Sequence, residues 1–384
     1  MIKKGLILLM GLLNDGVMAI SVLLLSGVGM FSRKVRTYLS ARVASYQGIK
    51  ELLKEKPGST IIFCSSVGEF EQVVPLIEEM EARKKNCVIL FHSANGYHYS
   101  RRLGYAHCYL TPFDFFLHYY YLLWKLKTQV SVVNRHEFWF GFMNAASILG
   151  KVYLINVVEK KQALIYSPLF KLAQSLSEHV FFVNKERDLN KHCSSPGDTK
   201  TDRIRKRYER EKEQIKLLKS SFPSDKPILV IGSAYGEDAE ILRSAFEMES
   251  SNAKNWRVVV LPARPYESQR IKQLNFKAND VIVTEEYGTL FHYYALATLI
   301  WVGGGFSAGI HNTLEGCFLE KPMISGSKLN HQPDALLMMK SNNLNTFSTA
   351  LELNQILNLV PAFYSLKNQA TRSPTQSILN KIYS

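Results

Sequence analysis

One carboxylate follows a run of residues that has the pattern of a buried strand. Residues 59–66 (STIIFCSS) combine β-branched and apolar residues, which predicts a strand that ends in two serines. Glu69 comes next, and Ser65, Ser66 and Gly68 surround it at the expected turn. A carboxylate in a partly apolar cleft can take a proton from a hydroxyl nucleophile. The structural alternative is a first-turn glutamate that the dipole of the following helix favours.

A glycine-rich stretch, residues 301–326 (WVGGGFSAGIHNTLEGCFLEKPMISG), contains a second group of candidate residues. A strand is expected from Ala297 to Val302, and a helix from about Ile310 to Leu319. Glycines between them allow the backbone to approach a ligand closely, because no Cβ intervenes. The helix start offers unpaired N–H groups and a partial positive charge to an anion. The stretch therefore predicts an anion-binding turn.

Three polar residues follow these glycines at helical spacing. Glu315 lies four residues after His311 and three after Asn312, so a helix would place all three on one face. Backbone amides of Gly304 and Gly305 could then hold a phosphate while the three side chains bind a sugar. The alternative is an ordinary strand–turn–helix in which the glycines serve packing.

Other polar residues stand at the expected ends of strands or in rigid loops. Arg264 lies between two prolines, and arginine contacts phosphate in a planar, bidentate way. Ser233 could cap a helix or bind phosphate. Glu137 could bind a substrate, or it could fix a loop by pairing with Arg135.

Several familiar motifs are absent from the sequence. It has no HExxH, no GxGxxG and no GxxxxGK[ST]. These absences argue against a zinc protease, a dehydrogenase and a P-loop NTPase. The five cysteines form no CxxC pair, which indicates neither a disulfide framework nor a zinc site. We expect no metal, no cofactor and a reducing compartment.

Basic residues outnumber acidic ones by 47 − 33 = 14. Such a balance favours a polyanion, an anionic membrane surface or phosphorylated substrates as partners. No nucleic-acid module is recognisable, and the basic residues are scattered, so nucleic acid is not an expected partner.

The most apolar segment is residues 5–31, which Asn14 and Asp15 interrupt. A buried aspartate is costly in a bilayer, so the segment could span imperfectly, lie in the interface or be a signal peptide. A buried N-terminal helix is the alternative without a membrane. Basic residues at 33–42 outnumber those before the segment, which places the bulk of the chain in the cytoplasm.

Strands alternate with helices along the chain, which predicts parallel α/β sheets. Strands are expected at 59–66, 87–91, 130–134, 152–157, 179–183, 227–231, 257–261, 281–284 and 297–302. A helix is expected from Glu71 to Lys84. The predicted organisation is an apolar anchor with its basic flank (1–40), an α/β domain (41–210), a charged link (211–224), a second α/β domain (225–360) and a tail that packs back on the first domain (361–384).

Taken in order, these segments resemble the 3-deoxy-D-manno-octulosonic acid (Kdo) transferases of Gram-negative lipopolysaccharide synthesis, most closely the Bacteroidetes-type members. The first and last of the matching segments are the specific ones. The matching segments are CSSVGEFEQVVPLI (64–77), HEFWF (136–140), GDTKTDRI (197–204), GSAYGEDAEIL (232–242), LPARPYE (261–267) and GGGFSAGIHNTLE (303–315).

The resemblance implies an α/β GT-B glycosyltransferase architecture, in which two Rossmann-like domains face one another across a cleft. It implies CMP-Kdo as donor and a lipid A precursor, lipid IVA, as acceptor. Transfer would be inverting and metal-independent, with Glu69 as general base. The enzyme would work at the inner membrane, whose anionic surface it contacts, with its catalytic domains facing the cytoplasm.

The resemblance also implies roles for particular residues. The N-terminal domain would bind the acceptor through Ser65, Ser66, Gly68, Glu137 and Lys200. The C-terminal domain would bind the donor through Ser233, Arg264, Gly304, Gly305, His311, Asn312 and Glu315.

The chain departs from the family pattern at a few positions. Residues 154–162 lack an arginine that usually follows the corresponding strand, and Tyr235, Ala263 and Tyr266 replace expected polar residues. These departures bear on donor affinity and acceptor preference. The alternative functions are another GT-B nucleotide-sugar enzyme, either a transferase or an epimerase, and a degenerate, non-catalytic membrane-bound family member.

Overall fold

Two parallel α/β units make up the part of the chain that the computed structural model describes. One unit comprises residues 1–203 and 372–384, and the other comprises residues 204–371. The described residues are 2–135, 138–158, 166–183, 191–274, 276, 280–286, 288–307, 309–311, 313–329, 335, 339, 344–359 and 373–383.

The first unit is built on a sheet of seven strands among its described residues. The strands are β1 (Thr60–Cys64), β2 (Cys87–Phe91), β3 (Cys108–Leu110), β4 (Val130–Asn134), β5 (Lys151–Val157), β6 (His179–Phe182) and β7 (Cys193–Ser194). Their order is β3–β2–β1–β4–β5–β6–β7, and all neighbours are parallel. The carboxyl ends of β1, β2 and β4 therefore meet at one edge, where ligands bind in such sheets.

Helices cover both faces of this sheet. The helices are α1 (Ile2–Phe31), α2 (Arg33–Leu52), α3 (Val67–Ala82), α4 (Ala94–Arg102), α5 (Phe116–Lys125), α6 (Phe140–Leu149), α7 (Tyr166–Ser175) and α8 (Lys200–Ser221), which continues into the second unit. Alternate residues of β1 face opposite sides. Phe63 packs in the cluster that contains residues of α5 and α6, whereas Ile62 packs with residues of α3.

The second unit contains six parallel strands among its described residues. They are β8 (Ile228–Ala234), β9 (Arg257–Pro262), β10 (Val281–Val283), β11 (Leu299–Val302), β12 (Met323–Gly326) and β13 (Leu344–Phe347), in the order β10–β9–β8–β11–β12–β13. The helices are α9 (Gly236–Glu247), α10 (Pro265–Gln273), α11 (Leu290–Leu296), α12 (Leu314–Phe318) and α13 (Ala350–Leu359). The prediction of parallel α/β sheets is confirmed in both units.

The C-terminal helix, α14 (Pro374–Tyr383), belongs to the first unit. Its Ile378, Leu379 and Ile382 are buried in the cluster that also contains residues of α3. The backbone N–H of Thr375 donates to the Asp202 carboxylate at 2.8 Å, so a charged side chain of α8 caps the start of α14.

Among the described helices, α1 is the one that is long and apolar enough, by length and composition, to cross a membrane. Ile7 is buried, whereas most of the other large apolar side chains of α1 are exposed. An exposed apolar surface of this size marks an interaction site in a soluble protein.

Two predicted helices differ from the observed ones. The helix predicted from Glu71 begins earlier, at Val67, because Ser66 caps it. The helix predicted over Ile310–Leu319 was wrong at its start, since α12 comprises only five residues. The backbone N–H groups of Ile310 and His311 donate to Lys328 O and Gly303 O instead of to a helical turn. His311 therefore precedes the helix, and the predicted shared face with Glu315 does not form.

Close backbone packing explains the three consecutive glycines after β11. A Cβ on Gly303 would lie 2.5 Å from the carbonyl oxygen of Ser233, and one on Gly304 would lie 2.4 Å from that of Gly309. A Cβ on Gly305 would lie 2.6 Å from the backbone nitrogen of Gly326. The chain's own backbone fills the space that side chains would need at these positions. This agrees with the alternative in which the glycines serve packing.

We expect Gly305→Ala to destabilise the second unit, because the new methyl group meets backbone atoms that cannot move independently. The expected loss in unfolding free energy is about 3 kcal/mol. Gly288→Ala is the matched control: its φ of 90° is strained for alanine, but nothing lies within 4 Å of the new Cβ. Its expected cost is about 1 kcal/mol. Urea denaturation of both variants checks the difference, and equal losses would contradict the packing explanation.

Candidate functional site

The first candidate site is the start of α3, directly after β1. The Oγ of Ser66 accepts a hydrogen bond from the backbone N–H of Glu69 at 3.3 Å. The Glu69 carboxylate turns back and accepts from the backbone N–H of Ser65 at 2.6 Å and from its hydroxyl at 3.1 Å. This reciprocal arrangement is a variant of the capping box. It holds a half-buried carboxylate in a defined orientation at the carboxyl edge of the sheet.

The observed geometry of Glu69 therefore fits both interpretations, a glutamate that stabilises the helix start and a carboxylate that acts as a general base. The carboxylate stabilises the helix start, as the structural alternative requires. The same bonds aim the side chain, and a general base has to be positioned in this way to meet a proton. Ser65, Ser66 and Gly68 lie on the same turn, so the structure brings these four predicted residues together.

A buried network of uncharged polar side chains lies behind Glu69. Asn134 donates to the carbonyl oxygen of Glu69 and to Gln72 Oε1, both at 3.1 Å. Asn156 donates to Asn134 Oδ1 at 2.8 Å, and the Thr199 hydroxyl donates to the carbonyl oxygen of Gln72 at 2.5 Å. The side chains of Gln72, Asn134, Asn156 and Thr199 are all fully buried. The network fixes the first turns of α3 to the ends of β4 and β5.

The network continues to Lys200, another predicted acceptor residue. Gln72 Nε2 donates to Asp198 Oδ2 at 2.9 Å, and Asp198 Oδ1 accepts from the backbone N–H of Lys200 at 2.8 Å. Arg135 Nε donates to Gln72 Oε1 at 2.7 Å. Glu69 and the segment before Lys200 thus share one set of buried partners. Glu137 lies outside the described residues.

The second candidate site surrounds the turn between β8 and α9. One oxygen of Asp238 accepts from the backbone N–H groups of Tyr235 and Gly304, both at 2.9 Å. Asp238 is fully buried, and its other oxygen has no hydrogen-bond partner in the described structure. Burial raises the pKa of Asp238 to about 6, although the two hydrogen bonds from the backbone lower it. The negative charges of Glu237 and Glu267 raise the pKa further. Asp238 therefore joins the glycine turn to the start of α9.

His311, Tyr235, Arg264 and Ser233 lie around this turn. The His311 ring stacks on Tyr235 with 5.7 Å between ring centroids, and its Nε2 lies 3.3 Å from the Tyr235 hydroxyl. Burial lowers the pKa of His311, and the charge of Arg264 lowers it further, so the imidazole is neutral at pH 7. Ser233 has a φ of 54° and lines a pocket with Pro262 and residues that follow β10. This part of the unit presents a cation, a hydroxyl and a neutral imidazole.

Glu315 has a different set of partners. Its Oε1 accepts from Arg207 of α8 at 3.1 Å, and Arg207 also donates to the carbonyl oxygen of Gly288 at 2.8 Å. Burial raises the pKa of Glu315. The positive charge of Arg207 lowers this pKa, and the negative charge of Glu211 raises it. The structure thus pairs Glu315 with an arginine and His311 with a tyrosine. Asn312 lies outside the described residues.

Sequence inspection missed several of these residues. The pair Arg207 and Glu211 has the i, i+4 spacing of a helical ion pair, which was a usable signal. Tyr235 and Asp238 have the spacing of a helix start, which was another signal. The partners of Asn134 and Asn156 come from distant segments, and no local pattern identifies them.

We expect Asp238→Asn to weaken the pH dependence of stability. The carboxyl group of Asp238 keeps its proton up to about pH 6 in the native state, whereas an aspartate in the unfolded chain loses it at about pH 4. Between these values the native state binds more protons, so the unfolding free energy falls as pH rises. Asp238→Asn removes this fall, which is on the order of 2 kcal/mol. Urea denaturation below and above this pH range measures the fall in unfolding free energy. Asp225→Asn, which changes an exposed aspartate, is the control. An unchanged fall in Asp238→Asn would contradict the assignment of the pH dependence to Asp238.

The first unit matches a known family. Residues 38–198 fit the profile of the family described as 3-deoxy-D-manno-octulosonic-acid transferase (kdotransferase). This range contains Glu69, its capping serines and three side chains of the buried network, Gln72, Asn134 and Asn156, whereas Thr199 follows directly after it.

Curated relatives carry the same description. The 3-deoxy-D-manno-octulosonic acid transferase of Rickettsia prowazekii is 23% identical over 270 residues, which cover 61% of this chain and 58% of that protein. The matched region thus spans less than two thirds of the rickettsial protein. The transferase of Aquifex aeolicus is 25% identical over 296 residues, 72% of this chain and 78% of that protein.

The fold is shared with a solved glycosyltransferase. The crystal structure of MurG from Acinetobacter baumannii has a TM-score of 0.57 and 12% identity, and the match covers 85% of this chain and 99% of that one. The two Rossmann-like units therefore have the GT-B type of fold. Residues 38–198 of the chain thus match the 3-deoxy-D-manno-octulosonic acid transferase family, and relatives of the chain carry the same description.

Proposed function

We propose that this protein transfers Kdo from CMP-Kdo to the lipid A precursor lipid IVA in lipopolysaccharide synthesis. The observation that carries the proposal is the Glu69 carboxylate, which two bonds from Ser65 aim from the carboxyl edge of the first sheet. It lies inside the segment that fits the Kdo transferase profile. The proposed transfer inverts the anomeric configuration and uses no metal and no cofactor.

In the proposed step, Glu69 takes the proton of an acceptor hydroxyl while the hydroxyl oxygen bonds to the anomeric carbon of Kdo. The bond between that carbon and the phosphate oxygen of CMP breaks on the opposite face, and CMP leaves with the electron pair. Attack and departure on opposite faces invert the configuration. A half-buried carboxylate with fixed orientation suits this role, because positioning supplies much of a general base's effect.

We assign acceptor binding to the residues around Glu69. Ser65, Ser66 and Gly68 present hydroxyl groups and open backbone at the start of α3. Lys200 adds a positive charge suited to a phosphorylated lipid. Glu137 completes the proposed set, although it lies outside the described residues.

We assign donor binding to the second unit. Arg264 and Ser233 suit the phosphate of CMP, because arginine and hydroxyl groups both donate to phosphate oxygens. His311 is neutral and can donate or accept through its ring. The backbone N–H of Gly304 already donates to Asp238, so Gly304 and Gly305 act chiefly by holding the turn. Glu315 would bind sugar hydroxyls beside Arg207, and Asn312, outside the described residues, completes the set.

The membrane is the proposed location of the reaction. A lipid acceptor lies in a bilayer, and α1 offers an exposed apolar surface. The net charge of +14 suits an anionic surface. We place the protein at the inner membrane, with both units on the cytoplasmic side.

Two alternatives remain distinct from this proposal. Another GT-B nucleotide-sugar transferase would share the fold, as MurG does. A degenerate family member without activity would keep the fold and the membrane surface. A screen of nucleotide-sugar donors separates the first alternative, and the absence of transfer from every donor identifies the second.

We expect Glu69→Gln to lower kcat by about 10²- to 10⁴-fold in an assay with CMP-Kdo and lipid IVA. Glutamine keeps an oxygen that can accept from Ser65 but cannot take up the proton. The donor KM should stay within about threefold, because Glu69 acts on the acceptor. Glu81→Gln, an exposed glutamate on the same helix, is the matched control. Wild-type kcat in Glu69→Gln would refute the base assignment.

We expect Arg264→Ala to raise the KM for CMP-Kdo by about 10- to 100-fold, since a hydrogen bond to a charged phosphate is lost. Arg243→Ala removes an exposed arginine of α9 that pairs with Glu247 at 3.6 Å, and it should leave the KM unchanged. Initial rates over a range of CMP-Kdo concentrations provide the measurement. An unchanged KM in Arg264→Ala would remove this residue from the donor site and leave the role of Glu69 to its own test.

A further inference from the structure

The N-terminal half of α1 is docked on the first unit. Ile7 is 6% exposed within the core cluster of α5 and α6. A Cβ on Gly11 would lie 2.5 Å from the ring of Phe116, so glycine permits the close approach of α1 to α5. Lys4 Nζ donates to the carbonyl oxygen of Ile148 at 3.2 Å. This half of the helix is therefore covered by protein along one side.

The polar interruption of the apolar segment has partners in the same unit. The Asp15 carboxylate accepts from the backbone N–H of Phe116 and, at 3.1 Å, from that of Leu117. Asn14 Nδ2 donates to the carbonyl oxygen of Asp114 at 2.7 Å. A carboxylate at a helix start satisfies unpaired N–H groups and is favoured by the dipole. The charge that would be costly in a bilayer is thus compensated by the start of α5.

The chain turns back directly after α1. Arg36 donates to the carbonyl oxygens of Gly29 at 3.1 Å and Met30 at 2.9 Å, which caps the end of α1. A Cβ on Gly29 would lie 3.2 Å from the side chain of Leu39. In one continuous helix these two residues would be about 15 Å apart. The helices α1 and α2 therefore form a hairpin, which we call the α1–α2 hairpin (residues 2–52).

The second arm of the α1–α2 hairpin is also tied to the first unit. Arg42 of α2 is 2% exposed, and its guanidinium donates to the carbonyl oxygens of His92 and, at 2.7 Å, of Thr111. These acceptors follow β2 and β3 at the carboxyl edge of the sheet. Ser32, at the turn of the hairpin, is ten residues from Arg42, or about 15 Å along a helix.

These attachments limit how far the α1–α2 hairpin reaches from the first unit. The part of α1 beyond Asp15 is residues 16–31, which extend about 24 Å as a helix. A bilayer's hydrocarbon core is about 30 Å thick. Because α1 is docked before residue 16 and α2 is attached at Arg42, neither arm can reach the far surface. The hairpin is long enough to enter one leaflet.

Apolar and aromatic side chains extend this surface onto α5. Leu117, Tyr121 and Trp124 are spaced four and three residues apart on one stripe and are each at least 50% exposed. The stripe begins where Asp15 meets α5. Lys125 Nζ lies 5.0 Å from the centre of the Trp124 ring. Aromatic residues beside a lysine are typical of the boundary between lipid tails and anionic headgroups.

We propose that the α1–α2 hairpin inserts into a single leaflet, together with Leu117, Tyr121 and Trp124, and that Asn14 and Asp15 hold α1 in this position. The N terminus and both units then lie on the same side of the bilayer. The occupant of the surface is a phospholipid leaflet with anionic headgroups. This inference rests on the membrane location in the proposed function and is independent of the transfer reaction.

The test uses the full chain with an N-terminal epitope that a protease can remove. The protein is added to preformed vesicles of equal parts phosphatidylethanolamine and phosphatidylglycerol, and bound protein is recovered by flotation. We expect external protease to remove the epitope from all bound protein without detergent. An epitope protected until detergent is added would show that α1 crosses the bilayer and would overturn the proposal.

Two pairs of variants test the named residues in the same vesicles. Trp124→Glu should reduce vesicle binding by about tenfold, which corresponds to about 1.4 kcal/mol, whereas Leu217→Glu, an exposed leucine of α8, should not. Asp15→Ala removes the charge from the apolar helix and leaves only Asn14 as a polar interruption, so it should give a protease-protected fraction. Ser21→Ala, which loses only a bond to Val17 of its own helix, should not.

The outcomes of these variants are separable. Unchanged binding of Trp124→Glu would remove α5 from the proposed surface, and full protease access in Asp15→Ala would refute the role of Asp15. Circular dichroism identifies a variant that fails to fold, in which case the wild-type protease experiment decides the topology. The readouts are binding and topology, so a failure of Kdo transfer does not affect them.

Discussion

Four uncharged side chains buried at the carboxyl edge of the first sheet hold the start of α3 in place. Gln72, Asn134, Asn156 and Thr199 bond to one another and to the carbonyl oxygens of Glu69 and Gln72. Buried amides are stable only when their groups are paired, and each broken bond leaves a partner unsatisfied. The orientation of the proposed base therefore depends on side chains that are themselves fully buried.

In the second unit, the glycine turn after β11 is held by a carboxyl group rather than by amides. Asp238 is an ionisable group that accepts two backbone N–H bonds, and burial raises its pKa to about 6. The four side chains of the amide network carry no ionisable group, although Gln72 also donates to the Asp198 carboxylate. The two units thus fix comparable turns, one with neutral groups and one with a carboxyl group whose desolvation is costly.

Local sequence patterns predicted the fold well and the contacts poorly. The runs at 87–91 (CVILF) and 130–134 (VSVVN) are rich in valine and other strand-forming residues, and the structure confirms both as strands. The residues Ser66 and Glu69 have the spacing of a helix start, which is a local property. The shortness of α12 could not be predicted, because the bonds that remove Ile310 from the helix come from Lys328, in a later segment.

Long-range partners account for the other differences. Asn14 and Asp15 interrupt an apolar run, and the sequence shows only their cost in a membrane. Their acceptors and donors lie about 100 residues later, at the start of α5. In the same way, Glu315 lacked a visible partner until folding brought Arg207 beside it. A pattern can identify such residues as unusual, but the fold decides what compensates them.

The glycine turn after β11 has a consequence for how this protein can change over generations. A Cβ on any of its three glycines would lie 2.6 Å or less from a backbone atom, so a substitution there is expected to be a folding defect before it is a functional one. Among the neighbouring side chains, Tyr235 is buried and Ser233 is partly buried near the end of β8, whereas Arg264 is exposed at the start of α10. Selection for a different sugar nucleotide would therefore act more readily on exposed positions such as Arg264 than on the glycine turn.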